Sequence, residues 1–271
     1  MSGLLEPKLV EKPWGRDTLP PPFQTPAGKR VGEIWFEPPP PLDALLAKYL
    51  FTSEKLSVQV HPDDHAAPAG SRGKTECWLV LDAEEDAKLA IGFEREVSAQ
   101  EARAAAEDGT IEEMLAWHPV KRGDFFYLPA KTVHAIGAGV TIAELQQNSD
   151  VTYRLFDYGR PRELHLDDAL RVAELGRYAD QHRRNVPPDR TATLVNGPHF
   201  RLDQLVGRPE QALQECYAGP LMILPLEGQV SLADGTLLEA GGCGWAECLS
   251  TIRVEEDSRI LLLAPCRQSI T

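Results

Sequence analysis

The chain predicts a mainly β protein with a few short helices. Short apolar runs alternate with polar residues at period 2, and Gly, Pro and Asp turn signals separate them at close intervals. Helix signatures are few and brief. At 271 residues the length suits one large all-β domain or two smaller ones. The break at Val186-Pro187-Pro188 favours two: a unit over 1–165, a helical linker over 166–190 and a smaller β unit over 191–271.

Composition narrows the function classes. A formal net charge of −13 argues against nucleic acid or an anionic membrane as partner. An anionic substrate would need a locally positive site against that background. The hydrophobic content of 42% is enough to fill a core. No apolar run reaches the roughly 18 residues of a membrane span, and Met1 to Trp14 does not read as a signal peptide. Five cysteines without CxxC spacing read as reduced thiols. Cytoplasm is therefore the expected compartment.

Taken in order, residues 1–50 read as irregular and Pro-rich around a short strand at Val31 to Glu37. Asp43 to Leu50 reads as one or two helical turns capped by Asp43. In Lys55 to Asp64 (KLSVQVHPDD), Leu56, Val58 and Val60 share one face and Ser57, Gln59 and His61 the other. Pro62 ends that strand, and a loop to Gly73 follows. A second strand begins at Lys74. Ser98-x-x-Glu101 and Thr110-x-x-Glu113 match the capping box and predict two short helices. Further strands are expected at 124–129, 132–136, 140–146 and 153–158. A helix is expected over 166–184, and a run of short strands from 191 onward.

The chemistry lies in Gln59, His61, Glu76 and His134. Two imidazoles, a carboxylate and an amide oxygen make a donor set suited to zinc, iron, manganese or nickel. Singly, each residue has an ordinary structural reading, since a lone strand His is usually just hydrogen-bonded. The order Q-x-H, loop, E, then G-D-x4-P-x4-H approximates the two metal motifs of the cupin jelly roll, with Gln59 in place of the first His.

LSVQVHPDD (56–64), GKTECW (73–78), PAKTVHAIGAG (129–139) and AELQQNSDVTYR (143–154) together resemble type I phosphomannose isomerase (mannose-6-phosphate isomerase) in its short bacterial form. KPWG (12–15) and GEIW (32–35) match that family's N-terminal landmarks. The resemblance is strong over about 10–165 and architectural beyond. It implies a double cupin, two jelly-roll β-sandwiches or barrels, with one Zn²⁺ held by Gln59, His61, Glu76 and His134. It further implies catalytic roles for Arg154, Lys74 and Glu144, and substrate-binding roles for Arg160 and Ser57. The substrate would be a small sugar phosphate, interconverted between mannose 6-phosphate and fructose 6-phosphate. Monomer and homodimer both stay open. Lys131 departs from the pattern, standing at a corner where cupins more often have Gly.

An aldose–ketose interconversion needs a base near C1 and C2 and a positive charge for the enediol oxygen. Lys74 and Glu144 are both candidates for the proton transfer, and Arg154 could stabilise the intermediate or hold phosphate. Two alternatives stand beside this: a non-catalytic sugar-sensing cupin, and an iron-dependent dioxygenase, against which Gln59 and Lys74 argue.

Overall fold

The computed structural model describes residues 1–266, so the last five residues of the expected C-terminal unit lie outside the described residues. The chain is mainly β. Its strands form antiparallel sheets of seven, five, six and three strands, with four short α-helices among the described residues.

The seven-stranded sheet runs in the spatial order 183–185, 124–128, 76–83, 140–147, 45–51, 31–36 and 7–16. The five-stranded sheet runs 153–156, 58–60, 134–136, 88–93 and 115–119. Between them lies a core that includes Trp14, Leu50, Trp78, Ile91, Phe126 and Ile142. The other face of the seven-stranded sheet buries Ala47, Tyr49, Phe51, Cys77, Ala143 and Leu145 against Leu202, Leu224, Leu261 and Leu263 of the six-stranded sheet. The helices Ala99–Asp108 and Leu166–Val172 cover the outside of the five-stranded sheet. The three-stranded sheet packs on the far side of the six-stranded one.

This layering explains where local patterns mislead. Asp43 to Leu50 is not helical. After the short 3₁₀ turn Pro40–Leu42 the chain enters the strand Leu45–Phe51, buried at every residue. It is hydrogen-bonded to both 31–36 and 140–147. A strand with both faces covered need not alternate, so its apolar run resembles a helical stripe. The region 1–50 is likewise ordered: Pro7–Arg16 pairs with Val31–Phe36, and Ser2–Leu4 pairs with Gly244–Ala246.

The helix expected over 166–184 is only Leu166–Val172. Ala173 already has ψ 136°, and the next residues give their backbone groups elsewhere. Phe93 N–H donates to Gly176 O, Val97 N–H to Leu175 O and Glu174 N–H to Lys131 O. Arg183–Asn185 then becomes an edge strand on 124–128. Non-local pairing thus overrides a helical propensity of only moderate strength.

The Ser98 capping box forms as expected. Glu101 N–H donates to Ser98 Oγ and Ser98 N–H donates to Glu101 Oε2. The Thr110 box does not form: Thr110 N–H and Oγ1–H both donate to Asp108 Oδ1, and only Ile111–Met114 is helical. Lys131 takes φ +76°, the left-handed conformation that Gly adopts most easily. Its N–H donates to His61 O and its ammonium meets Asp63 at 3.0 Å, which hold the corner in place.

Candidate metal centre and active site

Three strands from each sheet converge between the seven- and five-stranded sheets. His134 stands opposite Gln59 in the ladder, and Gln59 stands opposite Arg154. On the facing sheet Glu76 is opposite Gln146, while Glu144 is flanked by Trp78 and Lys48. The period-2 rule sends all these side chains inward. One face of Leu45–Phe51 and Val140–Gln147 therefore packs apolar groups against the six-stranded sheet, while the other delivers Lys48, Glu144 and Gln146 to the site.

His61, Glu76 and His134 are 1–2% exposed, and one donor atom from each lies within 4.8 Å of the others. His61 Nδ1 is 2.8 Å from Val151 O, and His134 Nδ1 is 2.9 Å from Thr132 O. A carbonyl only accepts, so each Nδ1 carries the proton and each Nε2 offers a lone pair. Those nitrogens face Glu76, at 3.7 Å from Oε2 for His61 and 3.5 Å from Oε1 for His134. Neither pair is ionic. Burial and the neighbouring Lys74 hold His61 well below the usual imidazole range and push His134 down to about 4, so both rings are neutral near pH 7. Glu76 Oε1 is buried without a hydrogen-bond partner. Two oriented neutral imidazoles and a carboxylate with a free oxygen are the donor set of a metal site.

Gln59 is adjacent, its amide nitrogen 3.2 Å from His134 Nε2 and its oxygen accepting from Ser57 Oγ at 3.1 Å. Exchanging the amide O and N, which have nearly the same shape, would turn the oxygen toward the triad.

Lys74 is buried at the centre. Its ammonium donates to Glu76 Oε2, lies 3.0 Å from His61 Nε2 and is 3.9 Å from Glu144 Oε1. Burial opposes its charge, but Glu144 and Glu76 outweigh burial and leave its pKa above the ordinary lysine value. Burial works against the Glu144 carboxylate as well. Lys74 and Lys48 overcome it, so the pKa of Glu144 falls and the group is ionised at neutral pH. For Glu76 burial dominates, and its pKa is pushed up to about 7. Glu144 is further fixed by Trp78 Nε1–H at 3.1 Å.

A cavity of about 260 Å³ opens in front of this cluster. Ser57, Gln59, Lys74, Glu144 and Arg154 all line it. Five cationic side chains (Lys12, Lys48, Lys74, Arg154, Arg162) face three anionic ones (Glu33, Glu144, Asp150), giving the local positive balance that an anionic substrate requires. Arg154 makes no ion pair among the described residues, and its Nε is buried without a partner.

Arg160 is not brought to the cavity. Its guanidinium is held by Asp157 at 3.2 Å, Glu54 at 3.1 Å and Lys55 O at 2.8 Å. Arg162 lines the cavity instead, steadied by two bonds to Asp157. The loop after Pro62 does not line it either; the lining away from the triad includes Lys12, Trp35, Asp150 and Thr152. His199, from the C-terminal half, sits 3.6 Å from Asp64 on that loop and is not among the lining residues.

Lys48 was not visible as a site residue while its segment read as a helix. It is 5% exposed, 3.3 Å from Glu144 and 4.3 Å from the Trp35 ring centroid. A lysine inside an otherwise apolar run was the available signal.

No family model matches the chain. Among curated proteins, mannose-6-phosphate isomerase ManA of Bacillus subtilis is 38% identical over 205 residues, covering 70% of this chain and 64% of the relative. Mannose-6-phosphate isomerase of Streptococcus mutans is 42% identical over 166 residues, 58% of this chain and 52% of the relative. The chain thus spans less than two thirds of the length of these relatives. The crystal structure of mannose 6-phosphate isomerase from Bacillus subtilis superposes with a TM-score of 0.79 at 28% identity, over 96% of this chain and 98% of that one. The ordered motifs, the buried triad and these likenesses agree: in sequence and in fold the chain is similar to the type I mannose-6-phosphate isomerases.

Proposed function

We propose that this chain is a zinc-dependent aldose–ketose isomerase that interconverts mannose 6-phosphate and fructose 6-phosphate. The observation that carries this reading is the buried His61–Glu76–His134 triad, with Lys74, Glu144 and Arg154 between it and a positively lined cavity. The names of the relatives support the substrate. The architecture supports a double cupin, with a metal-binding unit over 1–165, a connection over 166–190 and a smaller β unit over 191–271. A cytoplasmic location fits a chain whose described helices are none of them long and apolar enough to cross a membrane.

His61, Glu76 and His134 would hold the ion, with Gln59 as a fourth ligand after its amide turns. The two carbonyls at Val151 and Thr132 fix the imidazoles for that role. When bound, Zn²⁺ supplies Lewis-acid charge where the enediol oxygens become negative. Glu144, ionised and rigidly held, is positioned to take the C1/C2 proton, and Lys74 to donate to a sugar oxygen. Arg154, with an unpaired buried Nε, suits a developing oxyanion or the phosphate. Arg162 takes the phosphate-holding role that the family resemblance suggests for Arg160. Ser57 contributes a hydroxyl to the sugar.

The test is an assay of zinc-loaded protein with mannose 6-phosphate and mannose side by side, together with metal analysis. Interconversion of the phosphorylated sugar is expected, and loss of zinc and turnover in Glu76→Ala with the fold retained. No turnover of either sugar sinks the isomerase reading. Full metal content in Glu76→Ala sinks the ligand set.

A further inference from the structure

The Lys74 ammonium touches two of the ligand side chains at atoms that could serve a metal ion. It lies 3.0 Å from His61 Nε2 and donates to Glu76 Oε2. His61 Nδ1 holds the ring proton, because it faces Val151 O at 2.8 Å. The Nε2 atom therefore carries a lone pair and no hydrogen, and Lys74 is its donor. An imidazole nitrogen has a single lone pair in the ring plane. It serves an ammonium or a metal ion, never both.

His134 Nε2 is capped in a milder way, by the Gln59 amide nitrogen at 3.2 Å. An amide can turn over in place and offer its oxygen instead. An ammonium has only hydrogens to offer, so Lys74 has to leave His61 before an ion can bind there.

Three features set where it goes. The Lys74 N–H donates to Pro62 O at 3.0 Å, one residue beyond His61, so the backbone is tied and the long side chain does the moving. The next acceptor is Glu144 Oε1, 3.9 Å from the ammonium. Lys74 and Glu144 both line the cavity of about 260 Å³, and His61, Glu76 and His134 do not. A swing from His61 to Glu144 is thus a swing from the triad toward the cavity. Glu76 does not oppose it, since Oε1 has no partner and can serve an ion whichever atom Lys74 holds.

We propose that Lys74 is an exchangeable cation of the metal centre: it caps His61 and Glu76 until an ion claims the His61 lone pair, and then pairs with Glu144 at the cavity edge. Metal loading thereby brings together the two groups assigned to proton transfer. The inference rests on His61, Glu76 and His134 as the ligand set.

Lys74→Met keeps most of the side-chain length and removes the charge and its donors. Variant and wild type are compared by zinc titration against a competing chelator, and by thermal unfolding after chelator treatment. Zinc affinity is expected to be about tenfold higher or more in the variant, the weight of one charge-assisted hydrogen bond. The melting temperature of the chelator-treated variant is expected to fall below that of wild type, because Glu76 and His61 lose their cap. A lower melting temperature with unchanged or weaker zinc affinity overturns the proposal, since Lys74 would then be a structural partner only. Higher affinity without a lower melting temperature also overturns it, since that is plain charge repulsion. Zinc uptake by neither protein overturns the ligand set, and the inference with it. Should the chelator-treated variant fail to fold, wild-type crystals grown with and without zinc decide. Lys74 Nζ bonded to His61 without zinc and to Glu144 with it supports the exchange; an unmoved Nζ overturns it.

Discussion

The two site imidazoles depend on backbone partners that the sequence does not display. Q-x-H, Glu76 and His134 were legible because strand alternation and motif order are written in the chain. The carbonyls of Val151 and Thr132 that fix the imidazoles were not, because carbonyls belong to every residue. Arg160 and Arg162 show the limit most clearly. Both are arginines in one turn, and only three-dimensional pairing decides which faces the cavity. Asp157 touches both, but Glu54 and Lys55 O draw Arg160 away. Arg162→Ala is therefore expected to weaken kcat/KM for mannose 6-phosphate by roughly 10–100-fold, the value of a charge-assisted bond of about 1.5–3 kcal/mol. The loss for unphosphorylated mannose is expected to be small. Arg160→Ala is expected to leave both substrates nearly unaffected. Kinetics with the two sugars check this, and the reverse pattern would return the phosphate to Arg160.

Among the elements, the helix Ala99–Asp108 was readable because a capping box is a purely local signal, complete within four residues. The strand Leu45–Phe51 was not, because its hydrogen bonds go to residues far along the chain and both its faces are buried. Thr110, with the same motif, capped nothing, because a competing local partner, Asp108 two residues before it, took its donors. The Ser98 cap carries a pH signature. Ser98 N–H and Oγ–H, with Arg95 beyond them, hold the Glu101 carboxyl down to about 2 from its ordinary 4.5. A depressed folded pKa favours the folded state while the group is ionised. The contribution is complete above the unfolded value and is lost as pH falls toward the folded one. Glu101→Gln keeps the hydrogen-bonding shape and removes the charge. Its urea midpoint is expected to lie slightly below wild type at pH 7, with the gap closing between about pH 4.5 and 2. A gap that does not change with pH would mean the charge contributes nothing.

For the whole molecule, the mainly β class was legible, because turn residues punctuate the chain. How the halves join was not. Ser2–Leu4 completes an edge of the C-terminal six-stranded sheet, a pairing across more than 200 residues that no local pattern signals. Val186, read as part of a linker, is 2% exposed and belongs to the central core. That core draws Tyr49, Phe51 and Leu145 together with Leu224, Leu261 and Leu263, so neither proposed unit can open without baring the other's apolar face. Unfolding is accordingly expected as one cooperative calorimetric transition. Leu261 is fully buried in the middle of the seam. Replacing it with Ala removes apolar contact and leaves a cavity, at a cost of about 2–5 kcal/mol. At roughly 2–4 °C per kcal/mol for a chain approaching this size, the whole transition should move down together by several degrees. If calorimetry instead resolves two transitions, with Leu261→Ala lowering only the one that keeps the metal triad intact, the seam does not couple the units. The metal centre would then be stable without the sheet behind it.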